Sequence, residues 1–429
     1  MENAHEWAKQ QFGKVCLGDK RRTQRAVKMA DQMACEPLGS LPKQMKSWEA
    51  QKGAYRLLDN GDVSHHQLSE PHWRYTQEAA RQAGSVILMV QDFTDLNYTN
   101  HPATQGLGPI SSQAFLHGLW VHNTLAIQPQ ERRVLGLAYQ QVWAREEQTY
   151  KGRESKTARR KRSNRQSLRW GQAVAAIGKP PDGVKWVYVA DREADMFEFF
   201  ENILSMGADF CIRLVQERRL VDWTAGQPAY LLKTVRDVPE MGQRILEIPA
   251  SPGQAARQAQ LAVSWQSVTL RSPRNTPGED KYMTAWAVRT WEKEPPADGD
   301  PIEWLLITSV PVQSLPEALE RIEWYTCRWI IEEYHRCLKT GCNIEKTQLR
   351  HAERIQRLLA FLSILAVRLL QLRDLSRSTP HLLAIDHVDP VLVQIIALRT
   401  KKKPNELSLG FFWSEVAKLG GFPARRSDG

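Results

Sequence analysis

Two apolar runs, each closing on an aspartate, limit the fold of this chain more than any other feature. Ser85-Val-Ile-Leu-Met-Val-Gln-Asp92 and Lys185-Trp-Val-Tyr-Val-Ala-Asp191 are near-continuously apolar. A strand with one wet face alternates apolar and polar residues. A strand without that alternation is buried on both faces, in a sheet covered by helices on either side. His117 to Ile127, Arg133 to Trp143, Phe210 to Val215 and Trp304 to Ser309 supply further strands. Helical patterns lie between Asp191 and Phe200 and over Leu315–Lys339 and Glu353–Arg373, so the class is α/β. In such sheets ligands collect at the carboxyl ends of strands, where Asp92 and Asp191 stand. Either acid could instead cap the element that follows it. For Asp191, ahead of Arg192-Glu193-Ala194-Asp195, a helix cap is a real alternative.

The rest of the chain has a different texture. Ala4 to about Leu68 reads as helix and turn, with Lys20 to Cys35 forming a helix behind the turn Gly18-Asp19 and another helix following Ser47. Within the first of these, Arg21, Arg22, Arg25 and Lys28 cluster on one side, and Ala26, Met29, Ala30 and Met33 on the other. A small helical module with a basic stripe has the shape of a groove-reading DNA binder, and also of an ordinary solvated amphipathic helix. Tyr150 to Arg169 is basic and poor in apolar residues, the pattern of a mobile loop that orders against phosphates through Arg159, Arg160, Lys161 and Arg162. From about Gln216 to Gly299, proline, glycine and short alternating runs predict an inserted all-β unit. The last fifty residues are helical and basic.

Lys and Arg number 58 against 48 Asp and Glu, a net charge of +10 over 429 residues. That balance points to an anionic partner, most commonly nucleic acid. No uninterrupted apolar run approaches the roughly twenty residues of a membrane span, and the N-terminus lacks the apolar core of a secretory signal. The six cysteines are scattered without a CxxC pair, as expected of reduced thiols in a cytoplasmic protein.

The stretch Trp324 to Lys339 carries the densest chemistry. With Tyr325 as zero on a wheel of 100° per residue, Arg328 falls at about −60°, Glu332 at about −20°, Arg336 at about +20°, Lys339 at about −40° and Trp329 at about +40°. Cys327, Ile330, Ile331, Tyr334 and Leu338 take the opposite, apolar side, and Glu333 lies off the polar strip. A solvated face of i,i+4 ion pairs explains Arg328 and Glu332. It explains Tyr325, Trp329 and the excess of cations less well. Asp92, Asp191 and Glu332 together make a carboxylate triad suited to divalent metal, within a basic and aromatic surround suited to phosphodiesters. Glycoside hydrolysis also uses paired carboxylates but needs no basic strip.

On these residues the chain resembles the bacterial DDE transposases of the insertion-sequence-four family, cut-and-paste enzymes with a ribonuclease-H-like core. The match lies in Asp92 of Gln-Asp-Phe-Thr-Asp-Leu-Asn-Tyr, in Asp191 of Asp-Arg-Glu-Ala-Asp, and in the signature Tyr-x₂-Arg-x₃-Glu-x₆-Lys at Tyr325, Arg328, Glu332 and Lys339. It extends to Leu17-Gly-Asp-Lys-Arg-Arg-Thr23 and Gly53-Ala-Tyr-Arg56. The resemblance implies a helical DNA-binding domain over 1–68, a catalytic domain over 69–375 with a β insertion at about 216–302, and a helical dimerisation region over 376–429. The family pattern continues past Gly420-Gly-Phe422, so a chain stopping at Gly429 is expected to be truncated or to have a reduced dimer contact.

The resemblance further implies that Asp92, Asp191 and Glu332 hold two Mg²⁺ or Mn²⁺ ions. Arg328 and Lys339 would clamp phosphates, and Tyr325 would hydrogen-bond to one. Trp304 and Trp329 match positions that handle a flipped base, although Trp304 could equally be core at a strand start. Arg21, Arg22, Arg25, Tyr55, Arg56 and Arg336 are expected at DNA. The implied activity is binding of transposon inverted-repeat ends, cleavage through a hairpin intermediate and joining to target DNA. The partners are double-stranded DNA and a second copy in a synaptic homodimer, in the bacterial cytoplasm. A nuclease without strand transfer and a DNA-binding regulator of transposition remain as alternatives.

Overall fold

The computed structural model describes residues 3–111, 115–146, 165–218, 220, 229–248, 256–273, 280–295, 301–388 and 390–419. The chain opens with four principal helices: α1 (Ala4–Phe12), α2 (Lys20–Cys35), α3 (Trp48–Asp59) and α4 (His65–Gln82). Their starts follow from capping. The Asp19 side chain accepts from the Arg21 N–H, Ser47 accepts from Ala50, and Ser64 forms a reciprocal capping box with Gln67. In α2 the apolar side Ala26, Met29, Ala30 and Met33 is buried, as its spacing predicts.

Five strands then build one sheet: β1 (Val86–Asn97), β2 (His117–Gln128), β3 (Arg133–Trp143), β4 (Lys185–Ala190) and β5 (Asp209–Arg213). Helices α5 (Leu168–Ile177) and α6 (Phe197–Ser205) lie between β3 and β4 and between β4 and β5. β1, β2 and β3 form an antiparallel meander, and β4 and β5 add in parallel on the other side of β1. Three antiparallel strands joined to two parallel ones make the ribonuclease-H-like core, and the fold is α/β as expected.

The two apolar runs are buried on both faces, as their lack of alternation requires. Leu88, Val90, Val187 and Val189 belong to the core on one side of the sheet. Ile87, Met89, Trp186 and Tyr188 belong to the core on the other, with Trp170, Phe199 and Phe200 of α5 and α6. Removing such a residue leaves a cavity, and a buried aromatic cut to alanine typically costs about 3–5 kcal/mol.

The region after β5 holds strands β6 (Gly242–Ile248), β7 (Arg257–Arg271) and β8 (Tyr282–Glu292), followed by β9 (Glu303–Thr308). The insertion is neither all β, since a short helix, Leu231–Asp237, precedes β6, nor a separate body. β9 pairs antiparallel with β5, and β8, β7 and β6 follow in turn, so the insertion extends the central sheet.

The predicted helix Leu315–Lys339 is broken. α7 (Leu315–Thr326) and α8 (Trp329–Arg336) are separated at Cys327 and Arg328, and a π-helical turn, Cys337–Gly341, follows α8. α9 (Ala352–Ser378) crosses the core. By length and composition α9 is apolar enough to cross a membrane, although Arg357 and Arg368 interrupt its apolar residues. Its most apolar window is 72% buried within the fold, so packing accounts for that composition. α10 (Pro390–Thr400) and α11 (Leu409–Leu419) share a small separate core of Val393, Ile396, Leu407 and Phe412.

The N-terminal helices do not stand apart from this core. Phe12 of α1 stacks on Phe361 of α9 with ring centroids 4.8 Å apart. The buried Arg357 guanidinium donates to the Leu58 and Val63 carbonyls at 2.9 and 2.5 Å.

Candidate active site

Strand register brings the first two acids together. Val90 of β1 pairs with Val189 of β4 in parallel, so two residues further on Asp92 comes beside Asp191. Parity settles the face. Asp92 continues the series Leu88, Val90 and Asp191 the series Val187, Val189, all on the side of the sheet covered by α8 and α9. β1 does not end at Asp92, as its apolar run suggests. It continues to Asn97, paired with β2 from Asp92↔Asn123 to Asn97↔Gly118. β4 stops at Ala190, and Asp191 caps the 3₁₀ turn Arg192–Ala194 by accepting from the Glu193 N–H at 2.9 Å. Both readings of Asp191 therefore hold: it caps, and it lines the site.

The third acid comes from α8. The wheel places its apolar side correctly, since Cys327, Ile330, Ile331, Tyr334 and Leu338 are all buried. Asp92, Asp191 and Glu332 line one open cavity of about 730 Å³ with Asp95, Trp120, Glu193, Trp329, His335, Arg336 and Lys339 among its other walls. Arg328 sits between two of the acids. Its Nη1 lies 3.1 Å from Asp92 Oδ2 and 3.1 Å from Glu332 Oε1, and its guanidinium covers the Trp329 ring at 4.8 Å. Glu333 also borders the cavity, but its carboxylate is paired with Arg373 of α9 at 2.7 Å.

Electrostatics in this cavity are strained toward the negative. Burial, and then the neighbouring charge of Asp191, push the Asp92 carboxyl up to about 7, with Glu332 adding and Arg328 opposing. Burial and Asp191 likewise raise Glu193. Such a set of hard carboxylate oxygens fits Mg²⁺ or Mn²⁺. Among the described residues, no three His, Cys, Asp or Glu side chains yet close on one point. With the Arg328 guanidinium bridging Asp92 and Glu332, the carboxylates face one cavity without converging.

The remaining expected residues are spread. Tyr325 is buried, not on an open strip, and meets half-buried Trp304 edge-on with centroids 5.2 Å apart. The reason is the break at Cys327. Backbone bonds there tighten to i,i+3, from Cys327 N–H to the Trp324 carbonyl and from Arg328 N–H to that of Tyr325. Lys339 lies on the π turn, where Cys342 N–H reaches back to the Cys337 carbonyl at 2.8 Å. Its ammonium lies 3.6 Å from Asp95 and 3.8 Å from Glu345. Trp329 is 55% exposed at the cavity rim.

In the N-terminal helices, Arg21 is exposed and pairs with Asp19. Arg22 is held by the Leu17 carbonyl at 2.9 Å and Asp62 at 3.1 Å. Arg25 lies over Gly53, where any side chain would collide with its guanidinium. Tyr55 and Arg56 are exposed on α3. Arg159, Arg160, Lys161 and Arg162 lie outside the described residues. Sequence reasoning passed over Glu193, Asp95, Trp120 and His335 as parts of the site. Glu193 carried a signal, standing two residues from Asp191 in a tight turn. His335 gave none, because its role depends on β2 and β3.

Two family models match parts of the chain. The family model described as Transposase DNA-binding matches residues 4–63, covering α1 to α3. The model described as Transposase DDE domain matches residues 175–368, which include Asp191 and Glu332 but begin after Asp92. Among solved structures, the chain is similar to a piggyBac transposase synaptic complex with hairpin DNA, at 10% identity and a TM-score of 0.39, covering 99% of this chain and 81% of that one. The two transposase models together span more than half of the 429 residues, and the chain is a DDE transposase.

Proposed function

We propose that this transposase belongs to the bacterial insertion-sequence-four type, and that it cuts transposon ends through a hairpin and joins them to target DNA. The observation that carries the reading is the single cavity lined by Asp92, Asp191 and Glu332 from three separate elements, with Arg328, Arg336 and Lys339 around it. Two divalent ions bound by the three acids would polarise phosphate oxygens and lower the pKa of attacking water. Arg328 and Lys339 bind the phosphodiester, Tyr325 hydrogen-bonds to a phosphate oxygen, and Trp304 and Trp329 stack a displaced base. Base stacking on an aromatic ring is worth about 1–3 kcal/mol. Incubation with a donor end and a target plasmid tests this directly. Joined products are expected. Cleavage without joining would instead leave a nuclease of the same fold, and binding without cleavage a regulator.

The proposed division is a DNA-end-binding unit over 1–68, a catalytic unit over 69–375 and a dimerisation region over 376–429. Supporting the last, α10 exposes Val391, Leu392, Ile395 and Leu398, with Leu398 81% exposed. Those spacings form one apolar helix face of the kind a second copy covers.

Specific end recognition falls first to Arg21, Tyr55 and Arg56, which are exposed, while Arg22 and Arg25 are half-buried and also serve the fold. In the full-length chain, Arg21→Ala or Arg56→Ala should weaken end binding by about 1–3 kcal/mol if a base contact is lost. Arg22→Ala and Arg25→Ala should lower the melting temperature as well. Gel-shift titration against end and random duplexes, beside thermal melting, separates the two groups.

Replacing Arg159, Arg160, Lys161 and Arg162 together with alanine removes up to four phosphate contacts. The slope of log Kd against log salt should flatten by up to about 3.6, at about 0.9 per contact. The preference for end over random sequence should stay, because backbone contacts position the duplex without reading it.

A further inference from the structure

Behind Glu332 runs a chain of largely buried polar side chains from five elements. His335 of α8 is 5% exposed. Its Nε2 lies 3.0 Å from Asn123 Nδ2 on β2. Asn123 Oδ1 accepts from Gln140 Nε2 of β3 at 2.6 Å. Gln140 Oε1 in turn accepts from the Ser363 hydroxyl of α9 at 3.0 Å, with His65 Nε2 of α4 also at 2.8 Å. Asn123 is the direct cross-strand partner of Asp92.

The direction of this chain fixes a proton. Asn123 has its carbonyl oxygen committed to Gln140, so it presents its amide nitrogen to the imidazole. An amide N–H only donates, and His335 Nε2 must therefore offer its lone pair. A neutral imidazole accepting at Nε2 carries its proton on Nδ1. That nitrogen lies 4.0 Å from Glu332 Oε2, outside hydrogen-bond length as the side chains stand.

We propose that His335 is a positioning residue for Glu332, its Nδ1 proton fixed by Asn123 and Gln140 and directing the carboxylate toward Asp92 and Asp191. The proposal rests on the reading of these acids as metal ligands. A neutral partner suits the task, since a charged one would compete with the cations for the carboxylate. Partners of this kind, which touch a ligand and not the metal, typically govern affinity by 10–100-fold.

The test uses Mn²⁺ binding by the full-length protein without DNA, read beside thermal melting. The amide of asparagine superposes on Nδ1 and that of glutamine on Nε2. His335→Asn should keep the donor to Glu332 and bind Mn²⁺ within about twofold of wild type, while melting lower for want of the Asn123 contact. His335→Gln should keep the Asn123 contact and melt closer to wild type, but bind Mn²⁺ at least tenfold more weakly. Wild-type affinity in His335→Gln, or equal loss in both variants, overturns the proposal. Glu332→Gln is measured alongside. If it also binds like wild type, the failure belongs to the metal reading of the acids; if it alone loses Mn²⁺, the failure belongs to His335.

Discussion

Glu332→Gln and Asp92→Asn should each lower strand cleavage by about 10³-fold or more while leaving end binding intact. A thousandfold corresponds to about 4 kcal/mol of transition-state stabilisation, within the range a metal-held phosphoryl transfer draws from its ligands. Both substitutions are nearly isosteric and remove one negative charge from a cavity that already repels it, so the fold should not suffer. Arg328 keeps one of its two carboxylate partners in either variant. End binding persists because the exposed Arg21, Tyr55 and Arg56 lie on α2 and α3, apart from the cavity lining. Glu333→Gln is the control, one residue along the same helix. Its carboxylate is engaged by Arg373, so its cleavage rate should stay within about threefold of wild type. The measurement is single-turnover cleavage of a labelled end with a gel shift on the same samples. Equal losses in Glu332→Gln and Glu333→Gln would mean that α8 presents a different face to the chemistry.

That helix face was legible in the sequence because a periodicity of 3.6 needs only local information. Ile330, Ile331, Tyr334 and Leu338 had to be buried together, which leaves Arg328, Glu332 and Arg336 on the other side. The two aspartates were legible for a similar reason, since runs without alternation announce strands buried on both faces. What stayed hidden depends on distant partners. Phe93 to Asn97 carries too few apolar residues to read as strand, yet β2 supplies its hydrogen-bond ladder as far as Gly118. The tightening at Cys327 involves no helix-breaking residue, and Gly341 at the end of the π turn marks only where the helix stops, so composition does not show how either turn is wound. Each alters the site: the first draws Tyr325 inward against Trp304, and the second places Lys339 beside Asp95. The strands after β5 read correctly as β, but only the pairing of β9 with β5 makes them part of the central sheet.

Mn²⁺ affinity should rise steeply with pH up to neutrality and then level off. The cause lies in Asp92, whose carboxyl burial and the Asp191 charge push up to about 7 from its ordinary 3.8. Between these values the metal-free native state holds a proton that the unfolded chain has released. A raised carboxyl of this kind contributes stability in full below about pH 4, and loses it as pH climbs through 7, at up to about 1.4 kcal/mol per unit. A bound cation needs the carboxylate, so binding must expel that proton. Below pH 7 the apparent affinity for Mn²⁺ should therefore gain up to about tenfold per pH unit, or about fiftyfold between pH 5 and 7. The thermal shift produced by a fixed Mn²⁺ concentration should grow in parallel. Asp92→Asn removes the titrating group, and its weaker affinity should vary much less over the same range. Calorimetric titration in buffers of different ionisation enthalpy gives the proton count directly: close to one released per binding event at pH 6, and few at pH 8. A wild-type profile already flat from pH 5 would mean that Asp92 is ionised without metal, with the Arg328 guanidinium alone outweighing burial and the two neighbouring acids.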